Sequence, residues 1–129
     1  MANTVDVRYI VDNSRRTVAH VYILSDGVAG ELTDEVVVDV SALTPTPSKV
    51  SINKIKGVFS GTTGVLEWDA TADVGIFSIP DSETFEFNFG EYGGLTNNAG
   101  AGVTGDITLS TTGFATAGDT GFLIIECLK

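Results

Sequence analysis

The residues whose types and spacing could do chemistry are a glycine run, one histidine, one cysteine and a knot of carboxylates. Gly100, Gly102 and Gly105 reproduce the G-x-G-x-x-G spacing of dinucleotide sites. That fingerprint works where a strand turns tightly into a helix whose first amides face a pyrophosphate. Here Asn97, Asn98 and Ala99 precede the glycines, the β-rich run Asp106-Ile-Thr-Leu-Ser-Thr111 follows, and no lysine stands in P-loop position. The helix is missing, so the expected role is a loop that takes positive φ or admits a neighbouring backbone. His20, the single histidine, lies between Ala19 and Val21 in a strand-like run. General-base work would require a nucleophile and an orienting carboxylate beside it, and a metal would require further ligands. A structural histidine is expected. Cys127, the single cysteine, has only Lys129 as a nearby cation, which suits a small core group rather than an activated thiolate.

Glu67, Asp69 and Asp73 surround Trp68. Hard cations take such oxygens, and glycosidases use two carboxylates about 5 to 9.5 Å apart, yet the spacing matches no twelve-residue calcium loop. An acidic turn is expected. Trp68 alternates with Leu66, and Phe85, Phe87 and Phe89 stand at strand spacing, so these aromatics are expected in the core rather than on a sugar platform. No catalytic residue, cofactor or metal site is expected, and the chain is not expected to be an enzyme.

The elements that position these residues are strands. Val5, Val7, Tyr9 and Val11 alternate with polar residues, as do Val36, Val38 and Val40, and the three phenylalanines. A period of two sends one side chain inward and the next into water. Residues 17–24 and 121–128 are more continuously apolar, the pattern of strands covered on both sides or buried in a subunit contact. Val50, Ile52, Ile55 and Val58 slip out of strict alternation, which predicts a β-bulge near Asn53 and Lys54. Further strands are expected at residues 65–68, 74–79 and 106–111, making about nine. Ser41, Ala42 and Leu43 predict one helical turn stopped by Pro45. Short strands with glycine-rich turns imply an all-β antiparallel β-sandwich, jelly-roll-like, as a single domain over residues 1–129.

Composition bounds the function. The 129 residues are 43% hydrophobic and 19% charged, which suits one folded domain of ordinary size. One cysteine excludes an internal disulfide framework, and the opening residues lack the basic and apolar regions of a signal peptide, so folding in a cytoplasm is expected. No window approaches the roughly 20 apolar residues of a membrane span, and neither membrane nor nucleic acid is an expected partner for a net charge of -10. The charges are also uneven. Residues 1–56 hold six cations against seven acids, whereas residues 57–128 hold ten acids and no cation. If the cations share a face, the molecule has one nearly neutral side and one acidic side, a polarity able to orient it on a partner.

The segments Val38-Asp-Val-Ser-Ala-Leu43, Leu66-Glu-Trp-Asp-Ala-Thr71 and Gly93-Gly-Leu-Thr-Asn-Asn-Ala-Gly-Ala-Gly-Val-Thr-Gly-Asp-Ile107 stand between an opening Met-Ala-Asn-Thr-Val and a closing strand up to Lys129. In this order and spacing the chain resembles a family of small virion structural proteins of tailed bacteriophages. The resemblance covers most of the chain and rests on structural rather than chemical motifs. It implies a capsid decoration (cement) protein: a β-sandwich on the outside of the icosahedral shell, often a trimer, without catalytic residues. The implied partner is the major capsid protein, and the implied location is the virion surface after synthesis in the host bacterial cytoplasm. A tail, neck or fibre component is the alternative, with a carbohydrate-binding attachment module as a third class.

The charge split places the shell-facing side among Arg8, Arg15, Arg16, Lys49, Lys54 and Lys56. Met1 to Thr4 are expected to reach out as an arm, and an edge strand to offer main-chain hydrogen bonds to a neighbour.

Overall fold

The computed structural model describes residues 3–129, which form nine strands and two short 3-10 turns. The strands are β1 (Thr4–Asp12), β2 (Arg16–Leu24), β3 (Glu35–Val38), β4 (Ser51–Ser60), β5 (Thr63–Trp68), β6 (Val74–Ile79), β7 (Thr84–Asn88), β8 (Ile107–Thr112) and β9 (Thr120–Leu128). The turns are Val40–Ala42, as expected, and Phe89–Tyr92, which sequence periodicity did not announce.

Pairing follows a simple rule. β2 pairs with β9, β3 with β8, β4 with β7 and β5 with β6, all antiparallel, so the chain resembles one long four-pair hairpin. Rolling that hairpin brings β9 beside β4 and β8 beside β5. The result is a five-stranded sheet, β1-β2-β9-β4-β7, and a four-stranded sheet, β3-β8-β5-β6. Removing β1, which is added at one edge, leaves the jelly-roll order. The expected bulge is present between Ile52 and Lys54, and a second at Tyr9/Val11 reverses the parity of β1 near its end.

The alternation read from the sequence sorts the side chains. On β9, Leu123, Ile125 and Cys127 are buried while Phe122, Ile124 and Glu126 are half-buried on the other side. On β5, Leu66 and Trp68 face inward and pair with Leu109 and Ile107 of β8. Both sheets contribute to one core that includes Ile23, Ile55, Phe59, Trp68, Ile79, Leu109 and Phe114. Full burial of each such side chain stabilises the fold by about 1.5–3 kcal/mol. Cys127 lies in this core, and burial pushes its thiol up to about 12, so it is a packing group. The strands of the five-stranded sheet can approach closely because residue 57 is glycine: a Cβ there would overlap the Phe122 carbonyl oxygen of β9.

Two expectations need correction. Phe85 and Phe89 are only half-buried and Phe87 is 48% exposed, so the stripe is not sealed core. Its side chains face inward on β7, but β7 and β6 are both edge strands, and the sandwich gapes between them. Phe77 of β6 covers part of the gap, with ring centroids 5.3 Å from Phe85 and 5.0 Å from Phe87. The expected arm also differs. Met1 and Ala2 lie outside the described residues, whereas Thr4 begins β1 and Asn3 is tied down: its amide donates to the Gly30 carbonyl at 2.8 Å, and its Oδ1 accepts from the Asp26 amide.

Candidate functional site

Residues directly opposite one another on neighbouring antiparallel strands share a face, so register defines the outer surface of the five-stranded sheet row by row. One row runs Asp6, Tyr22, Phe122, Val58 and Thr84. The next runs Arg8, His20, Ile124, Lys56 and Glu86. A third holds Val18, Glu126, Lys54 and Asn88. Beyond it Arg16 stands opposite Leu128, and Leu128 opposite Ser51.

The centre of this surface is apolar, and its sides carry the cations Arg8, Arg16, Lys54 and Lys56 interspersed with Asp6, Glu86 and Glu126. Tyr22, Phe122, Val58 and Ile124 form one patch, with Leu128 beyond the Glu126 row; Tyr22 and Leu128 are each 37% exposed and Val58 36%. Beside it a shallow hollow of about 370 Å³ opens between Lys56, Val58, Thr84, Glu86 and Phe122. Gly57, between Lys56 and Val58, lies at the floor of the hollow, where β4 runs against the Phe122 carbonyl of β9.

All seven Lys and Arg residues lie on strands of this sheet or within two residues of them. Of the six interface candidates, Arg8, Arg16, Lys54 and Lys56 occupy the outer face itself. Arg15 sits in the β1–β2 turn and Lys49 just before β4, both at the Arg16 end. The structure therefore gathers on one sheet residues that the sequence spreads from position 8 to position 56. Arg16 pairs with Glu126 at 3.7 Å, and Glu126 also accepts from the Asn53 amide at 2.8 Å. Among the described residues, Arg8, Lys54 and Lys56 make no ion pair and keep their charge available.

Lys129 behaves differently. Its ammonium, with 4% of the side chain exposed, donates to Asp12 at 2.6 Å and to the Pro45 carbonyl at 3.0 Å. Burial works to raise the Asp12 carboxyl, but the Lys129 hydrogen bond, the Thr44 amide and the Lys129 charge outweigh it and hold Asp12 below the usual carboxylate range. This pair fastens the chain end and is not offered outward.

The chemical candidates are dispersed. His20 lies on the outer face opposite Arg8, edge-on to Phe122 with ring centroids 5.2 Å apart, and its buried Nδ1 has no hydrogen-bond partner. Among the described residues no carboxylate is hydrogen-bonded to it, so no triad is assembled. The Gly100–Gly105 spacing belongs to a strap. Gly102 and Gly105 take φ of +77° and +91°, and a Cβ on either would overlap Thr71 or the Ser48 carbonyl. The Thr71 amide donates to the Ala101 carbonyl, and the Thr104 hydroxyl to Asp69 at 2.7 Å. Asp69 is thus bonded to Thr104, and the carboxylates that come within 4.8 Å of one another are Glu67 and Asp73 with Asp34, not the set Glu67, Asp69 and Asp73 expected around Trp68. Trp68 itself is 1% exposed.

The exposed apolar patch was only half visible in the sequence. The continuous runs of β2 and β9 signalled cover on two sides, and the structure supplies that cover on the inner side alone. Compared with family models, with curated proteins and with solved structures, the chain matches none.

Proposed function

We propose that the chain is a non-enzymatic virion protein of a tailed phage, a decoration protein that docks on the outer shell and bridges major capsid subunits. The docking surface is the outer face of the five-stranded sheet. The observation that carries this reading is the state of β2 and β9: two long apolar strands at the middle of that sheet whose outer side chains, Tyr22, Phe122, Ile124 and Leu128, lack a covering layer in the single chain. Interface centres are built from such aromatic and aliphatic groups, with polar groups at the rim. Here the rim carries Arg8, Arg16, Lys54 and Lys56 together with Asp6, Glu86 and Glu126. The complementary shell surface is therefore apolar at its centre with charges of both signs around it, acids opposite Arg8, Lys54 and Lys56, which make no ion pair among the described residues.

The opposite side of the molecule stays acidic and faces solvent, where it repels wrong partners and other particles. The resemblance of the sequence to phage virion proteins points the same way, and a trimer over a threefold site of the shell is the assembly it favours. A sugar-binding role loses its natural platform because the Trp68 indole is buried.

The test is co-sedimentation with empty, expanded shells of the phage that encodes the chain. The wild-type chain is expected to sediment with the shells at a fixed stoichiometry. Tyr22→Asp with Phe122→Asp is expected to fold and to lose at least about 30-fold in apparent affinity, the scale of two central interface residues. Failure of the wild-type chain to bind shells, with density for it only at the tail vertex of the particle, would move the assignment to the tail or neck. Full occupancy by the double variant would remove this face from the interface.

A further inference from the structure

The outer face of the four-stranded sheet carries a second arrangement, independent of the docking surface. Glu67 points outward between the core residues Leu66 and Trp68, and its partner across the β5–β8 ladder is Thr108, which points outward between Ile107 and Leu109. Asp34, just before β3, is held over the same face by its amide, which donates to the Ser110 hydroxyl one side-chain period along β8. Asp73, just before β6, has the parity of Gly75, which stands opposite Glu67, and accepts from the Ala70 amide at 3.0 Å. One carboxylate oxygen from each of Asp34, Glu67 and Asp73 lies within 4.8 Å of the other two.

Opposite Glu67 on this face lies an unpartnered group. Thr108 is 1% exposed, and its hydroxyl has no hydrogen-bond partner. A buried hydroxyl normally finds a partner. On the register just given, Thr108 stands on the same face as Glu67 and directly opposite it, between Glu67 of β5 and Val36 of β3.

We propose that Asp34, Glu67, Asp73 and the Thr108 hydroxyl form a site for a divalent cation of the calcium class. Calcium takes 6–8 oxygens at about 2.3–2.6 Å, so no two oxygens of one shell lie more than about 4.6–5.2 Å apart, a condition the three carboxylates meet. Three carboxylates and a hydroxyl supply the protein part of such a shell, and the exposed side of Asp34 leaves room for water to complete it. An ion here would join the approach to β3, β5, β8 and the approach to β6, which are consecutive in the sheet. It would also relieve like-charge repulsion: the hydrogen bond and charge of Asp73 raise the Asp34 carboxyl, and burial with the charges of Asp73 and Asp34 raises Glu67.

Isothermal titration of CaCl2 into the EDTA-stripped chain is expected to show one ion per chain. Terbium is expected to bind competitively and to emit when excited through Trp68, the single tryptophan and the neighbour of Glu67. Glu67→Gln and Asp73→Asn are expected to unfold at or above the wild-type temperature in EDTA while losing both signals. Thr108→Val keeps the shape of the side chain and removes its oxygen; it is expected to weaken calcium about 10-fold or more, the scale of a support lost from a metal site. No heat and no terbium emission from the wild-type chain would overturn the site and leave the trio as a proton-sharing acidic cluster. Binding that survives both carboxylate substitutions would overturn it equally. Neither result depends on whether the chain docks on a capsid.

Discussion

The two sheets of the sandwich present the same inner surface and opposite outer ones. Between its core-facing residues the five-stranded sheet sets Tyr22, Phe122, Val58 and Ile124 among Arg8, Lys54 and Lys56. The four-stranded sheet sets Val36, Val65, Thr108, Ser110 and Glu67, and its strands hold no cation at all. Alternation alone builds both, because the inward half of each strand makes the fold and the outward half is free to vary. What separates the sheets therefore lies outside the needs of folding: apolar groups among cations on one side, hydroxyls and carboxylates on the other.

The sharpest way to break this comparison is to exchange inner and outer residues of a single strand. Ile55 on β4 is fully buried, and Ile55→Ala should cost about 2–5 kcal/mol in urea unfolding. Val58, three residues on and 36% exposed, should change stability by no more than about 0.5 kcal/mol as Val58→Ser, yet lower shell occupancy. A large stability loss at Val58 would mean that the outer face serves the fold after all.

A smaller effect is expected from charge. Lys54→Glu with Lys56→Glu should weaken shell binding about 10-fold at low salt, and the difference from wild type should shrink as added salt screens both. Arg15→Glu with Arg16→Glu should act in the same direction but less, because Arg16 already spends part of its charge on Glu126. Undiminished occupancy in both double variants would remove the cations from the interface.

The smallest effect belongs to the acidic face. Asp34→Asn should stabilise the metal-free chain at neutral pH by about 0.5 kcal/mol, since it removes one of three clustered charges. Asp34 and Glu67 have raised folded pKa values, so the native state holds extra protons as pH falls through those values, and the wild-type penalty disappears there. The gap between wild type and variant should close on acidification. Asp12 runs the other way: its lowered carboxyl gives stability above the ordinary carboxylate pKa that is lost as pH falls further. Thermal midpoints across pH 7 to 4 read both trends, and a gap that widens on acidification would contradict the cluster.

Much of this was legible in the residues. Period-two alternation together with the continuous apolar runs at residues 17–24 and 121–128 located about nine strands, the slip between Ile52 and Ile55 located a bulge, and the uneven cation count allowed two unlike sides. Other features depend on which strands meet, and no local pattern encodes that. Phe85 and Phe87 have inward parity, but inward at an edge strand opens onto a gap, as their exposure shows. Asp34 joins Glu67 and Asp73 only because β8 lies between β3 and β5, whereas Asp69, nearer in sequence, is bonded to Thr104. The continuous apolar runs of β2 and β9 admitted two readings, and only the finished sheet shows their outer side bare.

Hydroxyl-radical footprinting of the chain, free and bound to shells, tests the central claim most directly. Oxidation at Tyr22, Phe122 and Leu128 is predicted to fall sharply on binding, while Val36 and Val65 on the opposite sheet react as before. Protection of Val36 and Val65 with Tyr22 and Phe122 unchanged would contradict the account.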